Sequence, residues 1–326
     1  DLPGRPDSLQ REDLQEGGIF LGLQGMMDPP RPEVSAAVEV CQRAGMRVKM
    51  ITGDHAGTAL AIARLLGIAR GAGNGGESEV LTSAQIEALS DAELTEAVER
   101  IAVFARVTPQ QKLRLVQALQ ARGHVVAMTG DGVNDAPALR RADIGVAMGI
   151  TGTEVAKEAA DMVLADDNFA TIGAAVEEGR GVFDNLVKFI TWTLPTNLGE
   201  GLVILAAVVA GVSLPILPVQ ILWINMTTAV ALGLTLSFEP REPGIMNRPP
   251  RDPATPILTG TLIFRVGLVG LLLLAGAFGL FYWQLSTGAG EPQARTVAVN
   301  VFVFGEIFYL FNCRSLTLSV FRLGLF

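Results

Sequence analysis

The sequence has 326 residues, of which 49% are hydrophobic, a mean hydropathy of +0.39 and a formal charge of −8. The acidic balance and the lack of a basic patch argue against nucleic acid as a partner. Two cysteines, Cys41 and Cys313, lie far apart, which argues against a disulfide framework and favours a reducing compartment. Residues 1–180 have the composition of a soluble domain, whereas residues 182–310 carry long, nearly uncharged runs. Composition therefore predicts a soluble head on a membrane portion.

The first part of the head begins with a polar, Pro- and Gly-rich stretch at residues 1–10, which reads as part of something longer. A short strand is expected at residues 19–25, and a helix from Pro32 should end at Gly45. The next strand leads directly into Thr52-Gly53-Asp54 and a second helix. The amino end of such a helix can hold phosphate, although a plain helix cap is the alternative for these three residues.

A lysine lies in the first turn of a later helix. The segment VFARVT precedes this helix, and Thr108 is its expected cap. The positive charge of Lys112 in the first turn is unfavourable with respect to the helix dipole. A solvated surface lysine is the alternative.

The stretch around which the head is organised is MTGDGVNDAPAL, residues 128–139. The preceding run, residues 125–127, predicts a strand buried on both faces. Gly130 and Gly132 permit a tight turn that places Asp131 and Asp135 at the carboxyl end of that strand, where ligands of open α/β sheets bind. Two carboxylates at this spacing suit Mg²⁺ better than an ordinary Asx-rich turn.

The alternation of strands and helices continues through ADIGVAM and TGTEVAKEAADMVLADD. This order predicts a doubly wound parallel sheet of the α/β class. From residue 168 to 188 a helical pattern then runs directly into apolar sequence.

Four segments are long and apolar enough to cross a bilayer, at about residues 182–210, 216–238, 259–285 and 296–311. The loop between the second and third spans carries Arg241, Arg248 and Arg251. By the positive-inside rule this loop is cytoplasmic, on the same side as the head. The sequence thus predicts a transmembrane α-helical bundle after the α/β domain.

Polar residues interrupt the first two spans. In the first, Asn197 and Glu200 share a helix face, and Pro195 frees backbone carbonyls that could coordinate an ion. The second span contributes Asn225, Thr227 and Thr228. Charged groups are costly in hydrocarbon, so these oxygens suggest a cage for a partly dehydrated cation. Polar contacts between helices are the alternative.

These motifs carry a family resemblance. The segments TGDGVNDAPAL, MITGDHAGTALAIA, DPPR, FARVTPQQK, MVLADDNFATIGAAVEE, PTNLGE and NRPPR resemble the P-type cation-transporting ATPases, above all their type II, calcium-pump-like group. The resemblance implies the carboxyl-terminal part of such a pump. It has a remnant of the nucleotide-domain hinge at 1–18, a haloacid-dehalogenase-like phosphorylation domain at 19–170, and stalk and transmembrane helices, the fifth through eighth, at 171–326.

The resemblance also implies roles in the head for matching positions, with ATP and Mg²⁺ as cofactors. Asp131 would bind the catalytic Mg²⁺, Asp135 would support that site, and Asn134 would support the phosphoryl group. Lys112 would contact the phosphorylated aspartate. Three residues would line the phosphate and nucleotide side, with Arg106 approaching the nucleotide: Thr52, Gly53 and Asp54.

In the membrane, the resemblance makes Asn197, Glu200, Asn225 and Thr228 ligands of the transported cation. Ala229 stands where calcium pumps place an ion-binding aspartate, which favours a single calcium site, or transport of another cation or a proton. His55 replaces a common asparagine and is expected to be a surface residue at a helix start.

The phosphorylated aspartate of the family, in DKTGT, does not occur in this sequence. The leading hypothesis is therefore that the chain is part of an ATP-driven cation pump, with calcium as the first candidate for the transported ion. Such a chain needs the amino-terminal pump segments and is expected to be inactive alone. The alternatives are a membrane-tethered phosphatase and a non-catalytic pseudo-pump. The chain is expected to be a multi-pass protein of the plasma membrane, with its head in the cytoplasm.

Overall fold

The structure is a computed structural model that describes residues 22, 30–69, 79–318 and 322. The stretch 1–18 and, apart from Gly22, the strand expected at 19–25 lie outside the described residues, as do residues 70–78. From Pro32 onward the chain forms one unit.

In the first half of the head, the described residues form three strands and five helices. In chain order they are α1 Pro32–Arg43, β1 Met50–Thr52, α2 Ala56–Leu65, β2 Val80–Thr82, α3 Ser83–Ala88, α4 Asp91–Arg100, β3 Val103–Ala105 and α5 Pro109–Ala121. Local chemistry sets several boundaries. Thr108 caps α5 by accepting a hydrogen bond from the Gln111 amide, and Gly45 adopts φ +78° just after α1.

These strands form a parallel sheet in the order β1-β3-β2. The central strand β3 is buried on both faces. Val103 and Ala105 pack on one side with residues of α2, whereas Phe104 packs on the other with α3, α4 and α5. Helices therefore cover both faces of this sheet, as in a doubly wound α/β domain.

The second half of the head is another three-stranded parallel sheet. Its elements are β4 Ala127–Gly130, α6 Ala136–Arg141, β5 Ile144–Met148, α7 Glu154–Ala159 and β6 Met162–Leu164. The strand order is β4-β5-β6. Met128 and Ala147 pack with residues from α5, α6 and α7 in one hydrophobic cluster, so the parallel α/β class predicted from the sequence is confirmed.

The expectation of a strand at residues 125–127 buried on both faces was wrong. The strand begins at Ala127, which is exposed, and the Val125 side chain is 60% exposed. Only the face that carries Met128 packs against helices. Within the described part of the chain, β4 pairs with β5 alone, so its other edge has no strand beside it.

Four helical segments are long and apolar enough to cross a membrane, as predicted. They are α8 Phe169–Ala210; the pair α9 Pro218–Ile224 and α10 Val230–Ser237, joined by a π-helical turn at Asn225–Ala229; α11 Gly260–Ser286; and α12 Glu291–Cys313. Their shared core includes Val203, Ile224, Leu273 and Phe302. The helix predicted to run from the head into the membrane is confirmed, since α8 is continuous over 42 residues.

Candidate functional site

An ion pair joins two of the predicted head residues. The Lys112 ammonium on α5 lies 2.5 Å from the Asp135 carboxylate, and their side chains are only 20% and 8% exposed. Lys112 is thus a partly buried, paired lysine, not a solvated one. The pair ties the first turn of α5 to the turn that follows β4.

The turn after β4 is built around the Asp135 side chain. Its second carboxylate oxygen accepts a hydrogen bond from the Gly132 amide at 3.2 Å. A Cβ on Gly130 would lie 2.5 Å from Asp135 Cβ, so glycine is required there by close approach. Asp135 is therefore fixed, whereas Asp131 and Asn134 are exposed beside it.

A second group of predicted residues follows β1 and β3. Because Thr52 pairs in register with Ala105, Asp54 and Arg106 follow neighbouring strands at one edge of the first sheet. Thr52 donates a hydrogen bond to the Asp54 carboxylate at 3.0 Å. Gly53, Asp54 and Arg106 are exposed, and Arg106 has the positive φ of 54°.

The loop after β5 hydrogen-bonds to the backbone of Asp131. The Thr153 amide donates to the Asp131 carbonyl at 2.8 Å. The loop itself is fastened by Asp167, whose carboxylate accepts hydrogen bonds from the Ile150 and Thr151 amides and the Thr151 hydroxyl. Hydrogen bonds to the charged carboxylate, first from the Ile150 amide and then from the Thr151 hydroxyl and amide, have a larger effect than burial. They lower the pKa of Asp167 to about 2.

The donor set fits Mg²⁺ only in part. Asp131 offers a free, exposed carboxylate, whereas Asp135 is engaged by Lys112 and Gly132. Among the described residues no group of three His, Cys, Asp or Glu side chains could hold a metal ion. The arrangement fits one direct carboxylate ligand and one supporting carboxylate, with further oxygens from phosphate and water.

A second polar cluster lies inside the membrane bundle. Glu200 on α8 is 4% exposed, and one carboxylate oxygen accepts a hydrogen bond from Asn225 Nδ2 at 2.8 Å. Its other oxygen is buried and has no hydrogen-bond partner among the described residues. A buried carboxylate oxygen with no donor is costly unless a positive charge or a proton joins it.

Glu306 on α12, which the sequence analysis did not single out, belongs to the same cluster. It is 1% exposed, accepts a hydrogen bond from the Thr228 hydroxyl at 2.6 Å, and lies within electrostatic range of Glu200. Asn225 and Thr228 both lie on the π-helical turn and thus link the two carboxylates. Glu306 is the one acidic residue of the predicted span at 296–311, which was the available signal.

Asn197 does not join this cluster. Its side chain is exposed, although Glu200 three residues later is buried. The buried stripe of α8 runs through Thr196, Gly199, Glu200 and Val203, and Asn197 lies just outside it. A spacing of three residues gives neighbouring positions on a helix, but the packed neighbours decide which of them is covered.

Comparison with known proteins agrees with these features. Residues 213–326 match the family described as cation transporting ATPase, C-terminus, and residues 5–143 and 112–176 match haloacid dehalogenase-like hydrolase families. These matches, with the parallel sheets and membrane-length helices, define a haloacid-dehalogenase-like domain followed by a helical membrane bundle. The chain belongs to the P-type cation-transporting ATPases and corresponds to their carboxyl-terminal part.

Individual relatives cover nearly the whole chain. It is 66% identical over 323 residues, 99% of its length, to "Probable cation-transporting ATPase F" of Mycobacterium tuberculosis, 36% of which is covered. It is 51% identical over 95% of its length to "Cation-transporting ATPase pma1" of Synechocystis, and 44% identical over 95% to "Calcium-transporting ATPase" of Bacillus subtilis, each covered for 34%. The chain thus spans about a third of these relatives.

Proposed function

We propose that this chain supplies the phosphoryl-handling and cation-binding parts of an ATP-driven cation pump. In this proposal, ATP phosphorylates an aspartate outside this chain, in a Mg²⁺-dependent step coupled to cation transport. Calcium is the leading candidate for the transported ion, because the relatives from Bacillus cereus and Bacillus subtilis are named calcium-transporting ATPases. The division at 1–18, 19–170 and 171–326 and a plasma-membrane location with a cytoplasmic head are part of the same proposal.

One observation carries the proposal: the single helix α8 begins in the head and contains Glu200 in the membrane cluster. A continuous helix can transmit movement between a phosphorylated centre and a cation pocket, because its hydrogen bonds make it stiff along its axis. This arrangement supports a coupled pump over a phosphatase that merely has a membrane anchor.

In the head, we assign Lys112 to the phosphoryl group and Asp131 to Mg²⁺, with Asp135 holding Lys112 in place. Mg²⁺, when bound, neutralises charge on the transferring phosphoryl group. The Lys112 ammonium would stabilise the same charge from a fixed position. Groups that follow β1, β3 and β4 would contact nucleotide and phosphate: the half-buried Thr52 and the exposed Gly53, Asp54, Arg106 and Asn134.

In the membrane, the charge of the cluster favours one divalent cation. Two buried carboxylates, Glu200 and Glu306, would balance a charge of +2, with oxygens of Asn225 and Thr228 completing part of the shell. Ala229 supplies no third carboxylate. We extend the set to Asn197 only if a further helix covers its exposed face.

The test uses the complete pump in membrane vesicles, with phosphorylation from radiolabelled ATP and from inorganic phosphate measured across Ca²⁺, Mg²⁺, Na⁺, K⁺ and pH. Glu306→Gln and Glu200→Gln should each raise the Ca²⁺ concentration for half-maximal phosphorylation by ATP more than about 10-fold, since each removes a buried anionic ligand. Phosphorylation from inorganic phosphate should persist.

Glu291→Gln is the matched control, because Glu291 is also on α12 but its side chain is 46% exposed and paired with Arg295. Unchanged cation dependence in both cluster variants would contradict the transport site. A complete protein that takes no phosphate from ATP would favour the pseudo-pump. The chain alone should incorporate no phosphate from ATP.

A further inference from the structure

The proline in the middle of α8 leaves one backbone carbonyl without its helical donor. Pro195 has no N–H, so the Thr191 carbonyl one turn earlier loses its usual intrahelical hydrogen bond. From the sequence, such carbonyls were expected to be available to an ion. Instead, the Tyr309 hydroxyl on α12 donates to the Thr191 carbonyl at 3.1 Å.

A second hydrogen bond runs in the opposite direction between the same two helices. The Trp192 indole N–H on α8 donates to the Glu306 carbonyl on α12 at 3.0 Å. Trp192 is fully buried and Tyr309 is 8% exposed. These two bonds, from Trp192 to Glu306 and from Tyr309 to Thr191, are named here the α8–α12 clamp.

One bond of the clamp is made to Glu306, the residue of α12 whose carboxylate belongs to the polar cluster. The carbonyl held by Trp192 belongs to Glu306, and Tyr309 lies three residues further along the same helix. On α8, Glu200 lies just over one turn beyond Pro195. The clamp therefore fixes both the rotation and the height of α12 against α8 beside the two carboxylates.

We propose that Tyr309 is a positioning residue for cation binding, acting by satisfying the carbonyl that Pro195 leaves free. The inference rests on the proposed pump function, because it concerns the geometry of the same pocket. Without the hydroxyl, a buried carbonyl is left unsatisfied beside Pro195. The helices then relax toward arrangements in which Glu306 and Glu200 are less well placed to share one cation.

The experiment is a double-mutant cycle in the complete pump. Tyr309→Phe keeps the ring but removes the hydroxyl, and it should raise the Ca²⁺ concentration for half-maximal phosphorylation by ATP about 5-fold or more. The maximal level of phosphorylation from inorganic phosphate should stay unchanged. Tyr282→Phe is the matched control, since the other tyrosine of the chain is 40% exposed on α11.

Pro195→Ala provides the decisive background. Alanine restores an N–H that can bond to the Thr191 carbonyl, so this carbonyl keeps a donor when the Tyr309 hydroxyl is removed. In that background Tyr309→Phe should change the half-maximal Ca²⁺ concentration less than about 2-fold. Equal effects of Tyr309→Phe in both backgrounds would overturn the role assigned to the freed carbonyl.

The outcomes separate this inference from the pump function itself. Cation-dependent phosphorylation in the unmodified pump, with no change in Tyr309→Phe, would refute the positioning role alone. Absence of cation-dependent phosphorylation in the unmodified pump would refute the pump function, and the positioning role with it. Thermal unfolding of each variant shows whether a loss of affinity merely reflects misfolding.

Discussion

At the scale of single residues, Gly130 shows how closely the turn after β4 is packed. Any side chain there would overlap Asp135, with Cβ only 2.5 Å from Asp135 Cβ and 2.8 Å from its Cγ. Asp135 would have to move, and its pair with Lys112 would break. The glycine is therefore needed for the geometry of the Lys112–Asp135 pair as well as for the turn.

We predict that Gly130→Ala lowers the free energy of unfolding of the head by about 1–3 kcal/mol, the usual cost of overpacking. In the complete pump it should also reduce phosphorylation from inorganic phosphate. Thermal unfolding and phosphate labelling measure the two effects. The control is Gly132→Ala: its Cβ would approach Asp135 no closer than 3.5 Å, and its φ is −97°. Equal losses in the two variants would contradict this steric explanation.

Candidate site residues in the head could be predicted from the sequence, but the residues that they contact could be predicted only in part. Spacing on the Gly-rich turn indicated Asp131 and Asp135, and helix position drew attention to Lys112. The Lys112–Asp135 contact joins residues 23 apart, which no local pattern encodes. Glu306 could have been singled out as the one acidic residue of its span, but its partner Thr228 comes from the second span and could not be read from local sequence.

At the scale of elements, the strongly patterned helices and strands were predictable, whereas the burial of β4 was not. An apolar run indicates a strand, but the number of its neighbours depends on the whole sheet. The π-helical turn at Asn225–Ala229 was likewise invisible in the sequence. Polar residues mark the position of this turn, but their side chains do not indicate a change in the hydrogen-bonding pattern of the helix.

Packing between membrane helices depends on small residues. A Cβ on Gly270 of α11 would lie 3.1 Å from Leu198 Cδ2 and 3.5 Å from the Gly199 nitrogen, so α8 and α11 approach closely there. Lipid tails are as apolar as leucine, so such close contact is a main source of helix association in a bilayer. The Gly199–Gly270 contact also lies next to Glu200.

We predict that Gly270→Val forces α11 away from α8 and lowers the unfolding free energy by about 1–3 kcal/mol. Thermal unfolding of the chain in lipid nanodiscs measures the effect. Gly267→Val is the matched control, since a Cβ on Gly267 meets no atom of the described residues within 4 Å. If both variants melt at the same temperature, close approach at Gly270 does not stabilise the bundle.

At the scale of the whole molecule, one arginine connects the head, the stalk and the loop after the second span. Arg180 on α8 donates hydrogen bonds to three carbonyl oxygens, those of Ala44, Ile245 and Arg248. Beside it, Arg248 pairs with both oxygens of the buried Asp184 carboxylate at 2.8 Å. Arg180 and Ala44 are 136 residues apart, so this connection could not be read from the sequence.

The same region contains a direct backbone contact. A Cβ on Gly45, after α1, would lie 2.8 Å from Pro250 Cδ and 2.9 Å from Pro249 Cα. The loop that the sequence placed on the side of the head thus packs against a head helix. Movement of α1 should therefore be transmitted both to α8 and to this loop.

We predict that Arg180→Gln loosens this junction without unfolding the head, because the shorter, uncharged side chain cannot reach all three carbonyls. Amides hydrogen-bonded at its two ends, Gly45 to Gln42 and Asn247 to Gly244, should exchange with deuterium about 10-fold faster. Hydrogen-exchange mass spectrometry of the chain in nanodiscs measures both segments in one experiment.

The matched control for this prediction is Arg64→Gln, which removes an arginine whose salt bridge to Glu79 lies at the surface of the head. It should leave exchange in both segments unchanged, since exposed ion pairs contribute about 1 kcal/mol at most and act locally. Faster exchange at the head end alone in Arg180→Gln would mean that the loop is held independently, by Arg248 and Asp184. Faster exchange at both ends requires that Arg180 itself joins head and loop, and in that case movement of α1 reaches both the loop and α8, the helix that contains Glu200.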